Sequence, residues 1–317
     1  MRLMDTTSPP YTIEEFLGDS IPPYAILSHT WGQEEVTFEE WQNIDSSTYQ
    51  KSGFKKIQGA CMQAKRDGFN WLWVDTNCIQ RGPLELAEAI NSMFRWYRDA
   101  EICYAYLQDV PSSGPNGQPE EVMALFEKSR WFHRGWTLQE LLAPEEVVFY
   151  TEDWQRLGSK AGLLTSKKDE SLTSKIAEIT GIDEAYLNGS MPLRTSSVAK
   201  RLSWMANRKT TRVEDMAYAL LGIFDLHMTF HYGEGMKAFT RLQNKIVKTS
   251  SDHSIFCWTW DSDVPPGWVS MLAPSPKQFR GSGRYVEKHG AAKLSPYSVT
   301  NIGLSIQLPV SDPYMKG

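Results

Sequence analysis

The sequence predicts an α/β protein built on a parallel sheet with flanking helices. Through residue 150, short apolar segments typical of buried strands alternate with longer segments whose apolar residues recur at helical spacing. The order strand, helix, strand, helix, strand, helix, strand favours parallel strands joined by helices. Residues 102–107 show no alternation of polar and apolar side chains, as expected for a strand covered on both faces.

The first half of this core contains two strands and two amphipathic helices. Residues 1–22, which include Pro9 and Pro10, predict only a loose lead-in. The predicted elements that follow are a strand at Tyr24–Ser28, a short helix at Thr37–Gln42, a helix over 53–67, a strand at Trp71–Asp75 and a helix over 84–99.

The second half of the core ends on the fourth strand. A Pro/Gly/Ser-rich stretch at Pro111–Pro119 predicts an exposed loop, and Glu120–Lys128 a short helix. Gly135 then breaks the chain before a helix of good helix formers that Pro144 ends. Glu146–Tyr150 is the fourth strand.

The sequence pattern changes after the α/β core and again near residue 250, which predicts that the chain has three parts. Residues 151–195 are polar and predict a linker with two small helices, while the apolar spacing beyond them predicts helices over 196–206, 214–224 and 236–246. From residue 254 onward, strands are predicted at 255–260, 269–272 and 298–309. The parts are an α/β core with its lead-in over 1–155, a helical part over 156–250 and a β-rich C-terminal extension over 251–317.

Composition excludes several classes of function. With 317 residues, 41% hydrophobic and 22% charged, the chain resembles a globular protein, and its net charge of −5 argues against nucleic acid or an anionic membrane as partner. No apolar run approaches the roughly 20 residues that cross a bilayer, and the N-terminus lacks a signal-peptide core. We therefore expect a cytoplasmic location. The four cysteines have no zinc spacing, so no metal is expected.

Three segments are predicted to meet at one edge of the sheet, because ligands bind outside the carboxyl ends of parallel strands. Ser28–Gly32 follow the first strand, Asp75–Cys78 follow the second, and Trp136 and Glu140 follow the third. Trp136 and Glu140 are four residues apart and share a helical face. An indole beside a carboxylate can stack a flat ring and hold a developing positive charge. The alternative is that Trp136 is core and Glu140 a solvated or capping charge.

Other catalytic motifs are weak or missing. No G-x-G-x-x-G follows a strand and no P-loop is present, which argues against dinucleotide oxidoreductases and P-loop NTPases. Ser28, His29 and Asp75 could form a hydrolase triad, but no nucleophile elbow exists. Cys78 lies in a predicted loop, and no base for it can be named. Glu214 and Asp215 suit either a helix start or a functional role.

Five ordered blocks resemble the HET domain of fungal heterokaryon incompatibility proteins and together span roughly residues 24–250. One departure is Gln80, where the family usually has an acidic residue after the Cys-Ile pair. The blocks are YAILSHTWG (Tyr24–Gly32), WLWVDTNCI (Trp71–Ile79), residues Glu85–Val110, SRWFHRGWTLQELLAP (Ser129–Pro144) and residues Arg208–Gln243.

The resemblance implies fungal self/non-self recognition that ends in cell death. HET domains are similar to Toll/interleukin-1 receptor (TIR) domains, which implies a TIR-like, flavodoxin-like sheet. Some TIR domains cleave NAD with the glutamate of a W-x-x-x-E helix, which Trp136 and Glu140 match here. Ser28 matches the serine closing the first strand, and Asp75 the acidic end of the second.

The expected reaction is cleavage of the nicotinamide–ribose bond of NAD, with NAD as substrate and no cofactor. Glu140 is the catalytic candidate, expected to be semi-buried and ionised near neutrality so that it stabilises an oxocarbenium-like transition state. Trp136 or Trp31 would stack a ring. The remaining candidate substrate-binding residues are Ser28, His29, Thr30 and Gly32 for phosphate or ribose, Arg81, His133 and Arg134 for the pyrophosphate, and Asp75 and Cys78 in the loop after the second strand.

Two other functions stay open, since a fold does not decide function. They are a non-enzymatic TIR-like assembly module and a nucleotide sensor without turnover. By resemblance, we expect a homo-oligomer on activation and an NLR-type nucleotide-binding partner or domain, with neither nucleic acid nor membrane as partner. The chain would be either the HET part of a longer protein or a stand-alone HET protein.

Overall fold

A seven-stranded mixed sheet organises the protein. We describe a computed structural model covering residues 1–80, 82–114, 117–160, 171–285, 297–300 and 303–306. The strands of this sheet are β1 (Arg2–Asp5), β2 (Ile13–Glu15), β3 (Ala25–His29), β4 (Trp71–Trp73), β5 (Ile102–Tyr106), β6 (Val147–Tyr150) and β7 (Arg156–Ser159).

Eleven α-helices of the described residues surround or follow the sheet. They are α1 (Phe38–Gln42), α2 (Ser46–Gln50), α3 (Ser52–Arg66), α4 (Pro83–Arg98), α5 (Pro119–Glu127), α6 (Thr137–Leu142), α7 (Thr173–Thr180), α8 (Glu184–Leu187), α9 (Val198–Ser203), α10 (Asp215–Tyr218) and α11 (Lys237–Thr249).

The four central strands are parallel and confirm the predicted α/β class. They run in the order β4-β3-β5-β6, which in chain order is 2-1-3-4, the order of flavodoxin-like doubly wound sheets. Ala25 of β3 pairs with Leu72 on one side and Ile102 on the other. All five residues of β3 and all five of β5 are buried, as the lack of alternation predicts.

The edges of the sheet are antiparallel, and the sequence analysis missed them. β1 pairs antiparallel with both β2 and β4, and β7 pairs antiparallel with β6. The prediction of a loose lead-in is therefore wrong for these residues. Leu3 and Met4 are fully buried, and the Thr6 hydroxyl donates to the Phe69 carbonyl at 2.6 Å. These strands are three or four residues long and depend on their sheet partners.

The helices of the core follow the predicted amphipathic pattern. In α3, one face buries Phe54, Ile57, Cys61 and Ala64. Proline stands at the first positions of α4 and α5, where a missing N–H costs nothing. The predicted helix over 214–224 is shorter, because α10 ends at Tyr218 and a separate 3₁₀ turn follows at Gly222–Phe224.

The C-terminal region contains fewer strands than predicted. The strands predicted at 255–260 and 269–272 are wrong, since His253–Phe256 is a 3₁₀ turn and the rest is irregular. Indole groups satisfy backbone carbonyls there: Trp258 donates to Met271 at 2.8 Å and Trp268 to Leu272 at 2.9 Å. A two-stranded hairpin, β8 (Ser298–Val299) and β9 (Leu304–Ser305), is present. Residues 301–302 and 307–309 of the predicted strand lie outside the described residues.

The three-part division remains a prediction, as no boundary is tested by the described structure. No helix among the described residues combines the length and apolar character needed to cross a bilayer.

Candidate functional site

A cavity of about 440 Å³ opens at the carboxyl ends of the parallel strands. This volume lies in the range of small-molecule sites. One wall comes from the ends of β3 and β4, another from α6, a third from α4 and a fourth from residues 211–232. The lining residues are His29, Trp31, Asp75, Ile79, Leu86, Ile90, Met93, Arg134, Trp136, Thr137, Glu140, Thr211, Arg212, Asp215 and Tyr232.

Glu140 lies on α6 within this lining, and its carboxylate is fixed by β3. Ser28 donates a hydrogen bond to Glu140 Oε2, and the fully buried Trp131 indole donates to Ser28 Oγ at 2.8 Å. Hence the serine proton is directed at the acid. The arrangement joins β3, the 3₁₀ turn Arg130–His133 and α6 in one hydrogen-bonded chain.

Burial changes the protonation of Glu140. The residue is 6% exposed, and desolvation raises the pKa of its carboxyl to about 8. The hydrogen bond from Ser28 and the charge of Arg134 lower this pKa, whereas the Asp75 carboxylate raises it. The expectation of a semi-buried, ionised Glu140 is therefore corrected: the residue is buried, and its raised pKa favours the protonated acid at neutral pH. A cation nearby would favour its ionised form.

His29 is a neutral imidazole at the end of β3. Both ring nitrogens are buried without a hydrogen-bond partner among the described residues, and Nε2 lies 3.7 Å from Asp75 Oδ1 and 3.8 Å from Glu35 Oε2. Burial and the charges of Lys56 and Arg134 hold the pKa of His29 well below its ordinary value. Glu35 is occupied by Lys56 at 2.6 Å and the Gly32 N–H at 2.7 Å. His29 thus lines the cavity as an uncharged side chain.

Arg208, which sequence reasoning missed, is a buried cation beside the N-terminus of α6. Its Nη1 donates to the Arg134 carbonyl and to Thr137 Oγ1, both at 2.9 Å, and its Nε to the Trp204 carbonyl at 3.3 Å. Within the described residues, Nη2 is buried without a partner. Burial lowers the pKa of the guanidinium to about 9, and the charge of Glu140 acts in the opposite direction.

The wall formed by residues 211–232 was also missed. Asp215 accepts a hydrogen bond from the Tyr232 hydroxyl at 3.0 Å, and the Trp136 indole also interacts with its carboxyl group. Burial raises the pKa of the Asp215 carboxyl, and the interactions with Tyr232 and Trp136 oppose the rise. The available signal was Glu214-Asp215, an acidic pair after a basic turn. Helix-start chemistry accounts equally well for such a pair.

Six of the twelve predicted site residues line the cavity: His29, Trp31, Asp75, Arg134, Trp136 and Glu140. Ser28 lies behind Glu140 as its hydrogen-bond donor. Arg81 lies outside the described residues.

Four other predicted residues are not part of this lining. Thr30 is buried, and Gly32 donates its N–H to Glu35. The side chain of His133 is exposed, and its carbonyl accepts the Lys209 N–H at 2.6 Å. Cys78 is buried and accepts the Val74 N–H at 3.4 Å, and burial raises the pKa of its thiol to about 12. A protonated, enclosed thiol is not a nucleophile.

The charged groups of the cavity suit an organic ligand. No group of three or more His, Cys, Asp or Glu side chains that could hold a metal ion occurs in the described part of the chain. Three acids, Asp75, Glu140 and Asp215, share the lining with two arginines and several aromatic and aliphatic side chains. This mixture can bind a flat ring and a charged group together.

Fold and site together define an α/β domain with a cavity of about 440 Å³ at the carboxyl edge of its sheet. Residues 24–122 match the family profile described as "Heterokaryon incompatibility protein (HET)". The chain is also 49% identical over 234 residues to "Vegetative incompatibility protein HET-E-1" of Podospora anserina, a match that covers 72% of this chain. The chain therefore carries a HET domain.

The match has a limited extent on the side of the relative. The aligned region covers 16% of the Podospora anserina protein, so the chain spans about a sixth of that relative's length. No solved structure matches the chain significantly.

Proposed function

We propose that this chain is an effector domain of fungal vegetative incompatibility that cleaves NAD at the nicotinamide–ribose bond. The biological part of the proposal rests on the HET domain and on the printed name of the Podospora anserina relative. The chemical part rests on one observation: an acid on α6, oriented by Ser28 and Trp131, lines a cavity with aromatic and cationic side chains.

Cleavage of the nicotinamide–ribose bond requires mainly electrostatic stabilisation from the protein. Nicotinamide in NAD carries a positive charge, so the bond between its ring nitrogen and ribose C1′ breaks with the electron pair moving to the ring, which leaves neutral. Positive charge then develops on the ribose, and the Glu140 carboxylate stabilises it. An oxygen nucleophile, water in the simplest case, forms the new bond to C1′ and releases its proton to the solvent. The leaving group needs no acid.

Glu140 must be ionised to perform this role, and the bound substrate supplies the condition. A pyridinium charge close to the carboxylate lowers the pKa of Glu140 below its value of about 8. Binding and ionisation are therefore coupled, with the proton leaving as the cation enters. Arg134, which also lines the cavity, would bind a phosphate oxygen of the substrate.

The test is nicotinamide release from NAD by the purified chain, dilute and artificially clustered, since TIR-like enzymes are expected to act as oligomers. Glu140→Gln should abolish release, with at most about 1% of the activity retained, because the neutral amide cannot stabilise a cation. Glu146→Gln is the matched control, since Glu146 is similarly buried at 3% exposure and does not line the cavity.

Each outcome separates the candidate functions. Release that depends on Glu140 but not on Glu146 supports the hydrolase. Absence of release in every assembly state overturns it in favour of a contact-only signalling module. NAD bound without product would instead indicate a sensor.

A further inference from the structure

Three aromatic side chains of the cavity share an arrangement that the proposed reaction does not explain. Each has its polar hydrogen beside a carboxylate that also lines the cavity: Trp31 donates to Asp75 Oδ2 at 2.7 Å, Tyr232 donates to Asp215 Oδ1 at 3.0 Å, and Trp136 interacts with Asp215. Their polar edges are thereby fixed. What the rings can offer a ligand is their apolar, electron-rich surface.

The segment carrying Tyr232 is held on both sides. Glu214 Oε1 accepts the N–H groups of Gly233 at 2.7 Å and Gly235 at 3.0 Å. The Tyr218 ring meets the Tyr232 ring edge-to-face with centroids 5.6 Å apart. The two adjacent acids therefore hold different parts of this segment: Glu214 binds its backbone, and Asp215 binds the phenol of Tyr232. Because so many contacts set its position, the Tyr232 wall is preorganised.

The charge around the rings favours a cation. A guanidinium already lies 4.3 Å above the Tyr232 ring, supplied by Arg212, so this ring attracts positive charge in the structure itself. Asp75 and Asp215 line the same space together with Arg134 and Arg212, and Glu140 adds a third negative charge once a bound cation lowers its pKa. His29 adds no charge while neutral.

We propose that Trp136 and Tyr232, with Trp31, form a cage that selects a planar organic cation, and that Asp215 is its positioning residue. The occupant we assign, which rests on the proposed function, is the pyridinium ring of an oxidised nicotinamide nucleotide. Residues 211–232 are thus part of the substrate site. The uncharged ring of the reduced nucleotide is disfavoured because it forgoes the cation–π attraction.

A pair of small probes tests the cage without any turnover. N1-methylnicotinamide is a planar cation, and nicotinamide is its neutral counterpart. The full chain is titrated with each probe, and binding is monitored by calorimetry and by tryptophan fluorescence. N1-methylnicotinamide should bind at least about tenfold more tightly than nicotinamide. Equal affinity, or tighter binding of the neutral ring, overturns the proposal.

Substitutions then locate the preference. Tyr232→Ala and Asp215→Asn should each reduce the cation-to-neutral affinity ratio by about threefold or more, while Tyr232→Phe, which keeps the ring, retains most of it. Asp225→Asn is the matched control, since Asp225 is exposed, outside the lining and in a left-handed conformation that asparagine tolerates. Trp31→Ala, at a side chain 45% exposed, gives a second test if Tyr232→Ala does not fold.

A ratio unchanged in Tyr232→Ala, or in Trp31→Ala where the first does not fold, contradicts the cage. Failure of the cage and failure of the hydrolase are distinguishable. Cation selectivity without nicotinamide release retains the cage and removes the enzyme. Release of nicotinamide without cation selectivity does the reverse.

Discussion

Ser28 donates a hydrogen bond to Glu140 although the two residues lie 112 positions apart in the chain. Ser28 is the penultimate residue of the central strand β3 and Glu140 lies on α6, so the bond exists only when the parallel sheet and this helix are assembled. A second bond, from Trp131 to Ser28, fixes the direction of the first. The protonation of the candidate catalytic acid is therefore set by the fold.

Ser28→Ala should raise the pKa of Glu140 further, because the hydrogen bond from Ser28 favours the charged carboxylate. It should also destabilise the protein by about 1–3 kcal/mol, since the buried Trp131 indole loses its acceptor. Urea unfolding at several pH values measures both effects. Ser203→Ala, which removes a hydroxyl bonded to the Lys200 carbonyl away from the cavity, is the control. An unchanged pH dependence in Ser28→Ala would contradict this account.

Stability should depend on pH through Glu140. Its pKa is raised on folding, from 4.5 to about 8, so the folded state binds the proton more tightly than the unfolded state. The stabilisation is complete below pH 4.5 and is lost as pH rises through about 8. Within that window the wild type should lose up to about 1.4 kcal/mol per pH unit relative to Glu140→Gln, which does not titrate. If the free energy of unfolding depends on pH in the same way in the two proteins across this range, the raised pKa is refuted.

Much of the sheet was predictable because its evidence is local. Apolar runs and apolar periodicity predict the buried strands and the two long helices α3 and α4. Their alternation fixes which ends of the strands meet, which is why Ser28, Asp75 and Glu140 were expected at one edge. The strands that the sequence did not predict are short or polar. β1, β2 and β7 become strands only by pairing with other strands of the sheet.

The residues of the site that the sequence did not predict were missed for a related reason. Arg208 bonds to the Arg134 carbonyl beside α6, and Asp215 lines the cavity next to Trp136. These partners lie about 70–80 residues earlier in the chain, and no local pattern encodes such contacts. The protonation of Glu140 depends on how completely α6 is covered, and spacing within a helix does not reveal this. Apolar runs near residue 255 suggested strands, whereas tertiary packing gives them 3₁₀ and irregular structure.

Arg208→Met should destabilise the protein by about 2–4 kcal/mol and also raise the pKa of Glu140. The substitution deletes three buried hydrogen bonds to Arg134, Thr137 and Trp204, and it removes a positive charge that favours ionised Glu140. Chemical denaturation gives the first effect, and its pH dependence gives the second. Arg280→Met removes an exposed guanidinium bonded to Asn207 and should cost less than about 1 kcal/mol. Equal losses in the two variants would show that burial is not the cause.

Gly222 determines how closely the wall of residues 211–232 approaches α4, whose Leu86, Ile90 and Met93 complete the cavity. A Cβ at Gly222 would lie 2.1 Å from Cβ and 2.3 Å from Cγ of Phe94, so Gly222→Ala should cost about 3 kcal/mol or more in unfolding free energy. The partner substitution discriminates the cause. Phe94→Ala leaves the Cβ in place and should rescue Gly222→Ala only in part.

Phe94→Gly removes that Cβ and should give the larger favourable coupling in a double-mutant cycle with Gly222→Ala, after its own helix-interior penalty of about 1 kcal/mol is subtracted. Gly181→Ala, at a helix end with φ +68° and no atom near the added Cβ, is the control for glycine replacement without a clash. It should show no coupling to Phe94 in the same cycle. Equal coupling for Phe94→Ala and Phe94→Gly would mean that α4 and this wall separate to accommodate the methyl group. In that case the lining of the cavity is not rigid, and cation selectivity should fall in Gly222→Ala as well.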